Sequence, residues 1–214
     1  GFTIQNNLHN ETFTIVECGC GFCYLNPRPE EEVMKKYYNL EDYHPHSKGK
    51  GVIYSLYNFV QKITFRLKYK VLRKYLKKDI SHLDYGGGDG KFSKYLNSYS
   101  TISSRYYDPY FNYLDSMELN DKSFNAITLW HVLEHVYDLD ILFKDIERLL
   151  SNSGKLFIAV PNINAIERQY FNNYWAAYDL PRHLYHFSSE SLEKLLTDKG
   201  YKIIDKKRML FDTF

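Results

Sequence analysis

Between residues 80 and 97 a strand-like run gives way to glycines and then to a helix-like run, ISHLDYGGGDGKFSKYLN. Few folds accommodate that junction. The glycines permit left-handed backbone and close ligand approach, at the carboxyl end of a sheet where α/β folds bind ligands. The pattern then repeats. Strands are expected at 102–107 and 124–130, then an amphipathic helix at 139–150 stopped by Ser153-Gly154, then a strand at 155–160 stopped by Pro161. Ser188 is placed to cap a helix running to Lys199, with Glu190 and Ser191 in its first turn and Gly200 after its end. Final strands are expected at 201–205 and 209–214. Strands alternating with helices predict an α/β fold, a mostly parallel sheet with helices on both faces.

The chain before residue 80 has a different texture. Thr12-Phe13-Thr14-Ile15-Val16 alternates weakly and Cys18-Gly19-Cys20-Gly21 turns, which predicts a small β element ended by Pro27 and Pro29. Glu30, Glu31 and Glu32 suit the first turn of a helix ending near Tyr38. Residues 39–50 are loop-like. Over 52–78 apolar residues recur at helical spacing (Val60, Ile63, Leu67, Val71 and Leu72 among them), with no acid and with Lys62, Arg66, Lys68, Lys70, Arg73, Lys74, Lys77 and Lys78.

The 214 residues, with a net charge of +2, imply one large domain or one domain with a small appendage. A chain of that size buries roughly 70% of its unfolded surface and needs no disulfide or metal to fold. No apolar run approaches the roughly 18 residues of a membrane span, and no secretory leader is evident. Three cysteines, Cys18, Cys20 and Cys23, are an odd number, which argues against a disulfide framework and for a reducing compartment or half of a metal site. A cytoplasmic location is therefore expected.

The glycine run decides between ligand classes. A P-loop needs G-x-x-x-x-G-K-[ST], but Tyr85 stands at the first glycine and Phe92 at the hydroxyl position. A dinucleotide loop needs G-x-G-x-x-G, but Lys91 stands at the third glycine, and Asp89 would face a pyrophosphate with the wrong charge. Leu83-Asp84-x-Gly86-x-Gly88-x-Gly90 instead resembles the first motif of class I S-adenosylmethionine-dependent methyltransferases. The resemblance runs from about residue 80 to 214 and implies a Rossmann-like sheet with S-adenosylmethionine as cofactor. It implies that Asp84, Tyr85, Gly86 and Gly88 line that cofactor, and that Asp108, twenty residues past Gly88, accepts from both ribose hydroxyls. By the same resemblance Asp115 meets the adenine amine and Ser116 the ring edge. Two departures stand out: Asn125 where the family usually has Asp, and a short segment between Asp108 and Asp115.

LWHVLEHV, residues 129–136, fits H-x-x-E-H through His131, Glu134 and His135. A zinc peptidase carries that string inside a helix. Here it follows a strand and the next helix starts only near Tyr137. A similar V-L-E-H-V string follows the fourth strand in the resembling methyltransferases. That implies Trp130 and His131 beside the cofactor, with Glu134 and His135 close by. Methyl transfer to a hydroxyl wants a general base, and histidine suits neutral pH. His131, His135 and His186 are the catalytic candidates, with His183 also in reach of that role. The stretch 178–188 resembles a P-x-H-x-x-x-F-[ST] string in a bacterial branch of these enzymes. Each histidine also has a plain reading as a helix cap or packing group, and no residue is assigned as a metal ligand in the main reading.

That branch often carries two Cys pairs and then N-P-R-P. Cys18-Gly19-Cys20-Gly21-Phe22 and Asn26-Pro27-Arg28-Pro29 are similar to the second half. The implied organisation is a partial zinc-ribbon-like β segment over 1–28, a helical lid or linker over 29–78, and the S-adenosylmethionine-binding domain over 79–214. Cys18, Cys20, Cys23 and His9 are the candidates for a four-ligand zinc site, the other reading being buried or idle thiols, and Tyr37-Tyr38 and Tyr43-His44 would form the lid. The expected function is methyl transfer to an O, N or C atom of a small-molecule acceptor, an anionic one being compatible with the basic helix. No nucleic-acid partner and no integral membrane contact are expected. The alternatives are a catalytically inactive methyltransferase-like binding or scaffold protein, and a zinc hydrolase using His131, Glu134 and His135.

Overall fold

The structure is a computed structural model that describes residues 1–6, 11–38, 52–76, 78–109 and 119–209. In chain order its elements begin with strands β1 (Phe2–Asn6), β2 (Glu11–Glu17) and β3 (Cys23–Leu25) and the short helix α1 (Glu31–Met34). Then come α2 (Val52–Tyr75), β4 (Ile80–Tyr85), α3 (Lys91–Leu96), β5 (Ile102–Tyr107), β6 (Phe124–Trp130), α4 (Leu139–Leu149) and β7 (Leu150–Ala159). The last are α5 (Ile166–Phe171), β8 (Tyr185–His186) and α6 (Ser189–Asp198). The chain forms two compact units, one of Gly1–Pro45, Leu133–Tyr137 and Val160–Arg208, the other of His46–Val132, Asp138–Ala159 and Met209–Phe214.

The second unit holds the parallel sheet, in the order β5-β4-β6-β7. Its strands read as near-continuous apolar runs because both faces are covered. On one face Leu72 of α2 and Phe92 and Leu96 of α3 pack with Ile80, Ile102, Ala126 and Phe157 of the sheet. Strand alternation turns Tyr85 to the other face, where its hydroxyl donates to Asp145 of α4 over 3.0 Å. There α4 buries Leu142, Phe143, Ile146 and Leu149. The Asp138 side chain caps α4 by accepting from the Ile141 N–H over 2.9 Å. Asn125 has a structural reason to differ from the usual acid. Its Oδ1 accepts from the Ser81 N–H over 3.0 Å while its Nδ2 donates to the Asp79 carbonyl over 3.0 Å. An ionised Asp only accepts, so it fills half of that role.

The first unit is an antiparallel sheet in the order β1-β2-β3-β8. Ile4, Ile15, Cys23 and Leu25 of the sheet pack with Met34, Tyr37, Trp175, Tyr178 and Leu184. Ser188 and Ser191 form a reciprocal capping box on α6, and Gly200 follows it with φ +82°.

Four expectations are corrected. The predicted helix after Pro29 is four residues of α-helix followed by a 3-10 turn at Lys35–Tyr37. The strand predicted at 155–160 begins at Leu150, with an irregularity in its pairing to β6 that absorbs the Ser151–Gly154 residues. Residues 201–205 form no strand. None of them is fully buried and Ile204 is 56% exposed, so no face of the segment is packed as a sheet face would be. Cys18 and Cys20 are joined to each other as a disulfide and Cys23 is a buried thiol. Their Cα atoms lie 5.2 Å apart, within bridging reach. Of the remaining expectations, His9, Tyr43, His44, Asp115, Ser116 and the strand over 210–214 lie outside the described residues.

Candidate functional site

In the parallel-sheet unit the glycine loop is pinned at both ends. β4 stops at Tyr85, and the Gly86 and Gly87 N–H groups donate to the Tyr107 carbonyl at the end of β5, over 2.7 and 3.2 Å. Gly86, Gly88 and Gly90 all have positive φ, from +54° to +76°. They differ in what surrounds them. A methyl added at Gly90 would lie 2.5 Å from the Tyr106 ring, so Gly90 is glycine for packing. A methyl at Gly88 meets nothing within 4 Å. The Gly88 N–H donates to Asp108 Oδ2 over 2.9 Å, which fixes the acid beside the open glycine. Asp108 itself is buried.

Behind the loop a buried polar chain crosses the sheet on the α2/α3 face. Ser104 Oγ lies 2.9 Å from Ser93 Oγ and 2.7 Å from His82 Nδ1. His82 Nε2 lies 2.9 Å from Thr128 Oγ1, which donates to Asp84 Oδ1 over 2.7 Å. Burial pulls the His82 imidazole down to about 3, so it is neutral at pH 7. Burial pushes the Asp84 carboxyl up to about 6, opposed by the Thr128 hydrogen bond and by Lys68, and aided by the Asp108 charge. Two residues past Thr128, the Trp130 ring has Lys68 Nζ 4.7 Å from its centroid. His131 follows with φ +56°, an uncommon conformation for a non-glycine residue, and its N–H donates to the Ala159 carbonyl over 2.9 Å.

The structure thus brings Asp84, Gly86, Gly88 and Asp108 together at the carboxyl end of β4 and β5, with Trp130 and His131 at the same end of the adjoining β6. The Tyr85 hydroxyl is engaged by Asp145, and its ring packs edge-on to Tyr107. Thr128 and Lys68 are additions that sequence reading did not single out. Thr128 was the one hydroxyl in the apolar strand FNAITLW, a usable signal. Lys68 carries none, being one of many lysines in α2.

His135, His183 and His186 belong to the other unit. Glu134 and His135 lie on a 3-10 turn at Leu133–His135. The Glu134 carbonyl accepts from the Leu184 N–H over 2.7 Å, which sets that turn against the 183–186 segment. The His135 and His183 rings are 4.6 Å apart, edge to face. Burial pulls His135 down to about 4, with the His183 neighbour adding to it, and pulls His186 down to about 3. The hydrolase alternative is not favoured. His131 is left-handed at a strand end and Leu133–His135 is a single turn, so no helix presents the H-x-x-E-H histidines on one face.

A methyltransferase-domain family model matches residues 59–206. The chain belongs to that family, and its parallel sheet with flanking helices is Rossmann-like. An uncharacterized protein of Methanocaldococcus jannaschii is 32% identical over 135 residues, covering 56% of this chain and 58% of that protein. The chain therefore spans under two thirds of that relative's length. Among solved structures, the 1,6-didemethyltoxoflavin-N1-methyltransferase of Burkholderia thailandensis is 15% identical, covers 91% of each chain and has a TM-score of 0.53, a likeness of fold. A methyltransferase from Archaeoglobus fulgidus is 23% identical over 68% of this chain and 75% of that one, with a TM-score of 0.47.

Proposed function

We propose that the protein transfers a methyl group from S-adenosylmethionine to an oxygen, nitrogen or carbon atom of a small-molecule acceptor. The observation that carries this reading is Asp108 held by the Gly88 N–H beside a left-handed glycine with open space around its Cα. Such a place takes a ribose on the acid and a ligand close to the backbone, and it has no demand for phosphate. When bound, S-adenosylmethionine supplies an electrophilic methyl on a sulfonium. On this reading Gly88 gives the loop its open backbone, Gly86 lets it pack closely on Val132, and Asp84 and Tyr85 anchor it through Thr128 and Asp145. Trp130 offers a flat face next to the donor. Asp115 and Ser116 are proposed for the adenine on the sequence resemblance alone.

Of the three catalytic candidates we assign His131 as general base. A base works best with a pKa near the operating pH, and burial makes His135 and His186 poor proton acceptors at neutral pH. An anionic acceptor suits the lysine- and arginine-rich α2. No helix among the described residues is long and apolar enough to cross a membrane.

The test is transfer of labelled methyl from S-adenosylmethionine to a panel of small hydroxyl, amine and carbon acids, with His131→Ala beside the wild type. The variant should keep S-adenosylhomocysteine binding and lose roughly 10²–10⁴-fold in rate. Cofactor binding with no turnover on any acceptor would favour the scaffold alternative instead.

A further inference from the structure

The methyl-transfer reading leaves the most buried acid of the first unit without a task. Glu134 has 0% exposure, and nearby lie His183, 7% exposed, and His135. One carboxylate oxygen and one ring nitrogen from each histidine all lie within 4.8 Å of one another. We propose that Glu134, His135 and His183 bind one divalent transition-metal ion of the zinc class, through two imidazole nitrogens and one carboxylate oxygen. This site does not rest on the methyltransferase reading and does not use His131.

Two features carry it. The first is the donor set. Two imidazoles and one carboxylate are a set that zinc and related ions take, with a further position left for water or a small oxygen ligand. Closing a 4.8 Å spread onto bonds of about 2.0–2.2 Å needs small side-chain rotations. The second is the outer support. His135 Nδ1 lies 3.0 Å from the Arg182 carbonyl, and His183 Nδ1 lies 2.9 Å from the Ala177 carbonyl. A carbonyl only accepts, so each Nδ1 carries the hydrogen and each Nε2 keeps its lone pair. Metal-binding histidines are held this way, with the second nitrogen fixed by a backbone or carboxylate oxygen. The Tyr38 hydroxyl sits 3.1 Å from the same His135 Nδ1 and adds to that support. Asp179 Oδ2, at 3.6 Å from His183 Nε2, is beyond hydrogen-bond length, and Arg182 holds its other oxygen.

The experiment is equilibrium metal binding by the purified chain after dialysis against a chelator. Zn²⁺ is followed by calorimetry and by elemental analysis, and Co²⁺ by its visible absorption. The wild type should take up one ion per chain and show the intense visible bands of a four- or five-coordinate Co²⁺ site. His183→Ala and Glu134→Gln should each weaken uptake by more than the roughly 10–100-fold that loss of an outer partner costs. Tyr38→Phe removes only an outer contact and should weaken it by about tenfold, which keeps the test decisive if the other variants do not fold. A Cys18→Ser/Cys20→Ser/Cys23→Ser variant should bind as the wild type does. The proposal is overturned if folded wild type takes up no ion. It is equally overturned if uptake survives in His183→Ala but is lost with the cysteines, or if Tyr38→Phe binds unchanged.

Discussion

Gly88 and Gly90 are two residues apart in one loop, yet the structure gives them different work, and a matched pair of alanine substitutions separates the two. Both have positive φ, +54° and +71°. Forcing an L-residue into that region costs roughly 1–2 kcal/mol at either position. Gly88→Ala adds nothing further, because its methyl meets no atom within 4 Å. Gly90→Ala puts its methyl 2.5 Å from the Tyr106 ring, and overpacking of that kind adds about 1–3 kcal/mol. With roughly 2–4 °C of melting temperature per kcal/mol at this size, Gly88→Ala should lose a few degrees and Gly90→Ala about twice as much. Ligand binding should rank the other way. On the proposed placement of the cofactor against Gly88, the added methyl takes space the cofactor needs, and forfeiting as little as about 1.4 kcal/mol of contact is a tenfold loss of affinity. The assays are thermal unfolding by circular dichroism and calorimetry with S-adenosylhomocysteine. Wild-type affinity in Gly88→Ala, or wild-type stability in Gly90→Ala, would refute this division of labour.

Acid should destabilise the metal-free chain earlier than usual. His82, His135 and His186 are held neutral, at about 3, 4 and 3, against 6.5 unfolded. Their contribution is complete above about pH 6.5 and is lost as pH falls from there toward the folded values, because only the unfolded chain takes up the protons. By pH 5 each has lost roughly 2 kcal/mol. Asp84 acts in the opposite sense. Its carboxyl is raised from 3.8 to about 6, so the cost of keeping it ionised is relieved as pH falls, returning about 1 kcal/mol by pH 5. Urea unfolding at pH 8 and pH 5, with chelator present, should show a net loss of several kcal/mol; an unchanged midpoint would contradict the burial of these rings. At the start of α6, Ser188→Ala removes the hydroxyl that accepts from the Ser191 N–H over 3.0 Å. It should cost about 1 kcal/mol, read as a drop of roughly 2–4 °C in melting temperature.

Much of this was legible in the chain because the signals were local. The apolar runs at β4 and β6, the stop at Pro161, and the Ser188 cap each act within a few residues. The spacing from Gly88 to Asp108 was legible because a strand of fixed rise brings the end of β5 beside the loop, and the structure closes that gap with one hydrogen bond. What escaped was set by distant pairing. β8 is two residues long and earns its place only by bonding β3, so no local pattern announces it. His183 joins Glu134 and His135 because Leu184 bonds across to the Glu134 carbonyl, a contact without a sequence period. Lys68 is buried while Lys62, Arg66 and Lys70 on the same helix are exposed, a distinction made by which side of the helix meets the sheet. Residues 201–205 were misread because adjacent isoleucines suggest a strand even where neither is fully buried.

The central claim is that the end of the parallel sheet around Gly88 and Asp108 holds the methyl donor. It is tested most directly by calorimetric titration of S-adenosylhomocysteine into wild type, Asp108→Asn and Asp108→Ala, each checked for folding. Micromolar binding by the wild type, weaker in Asp108→Asn and lost in Asp108→Ala, is the predicted result. No binding by folded wild type, or equal binding by all three, would contradict it.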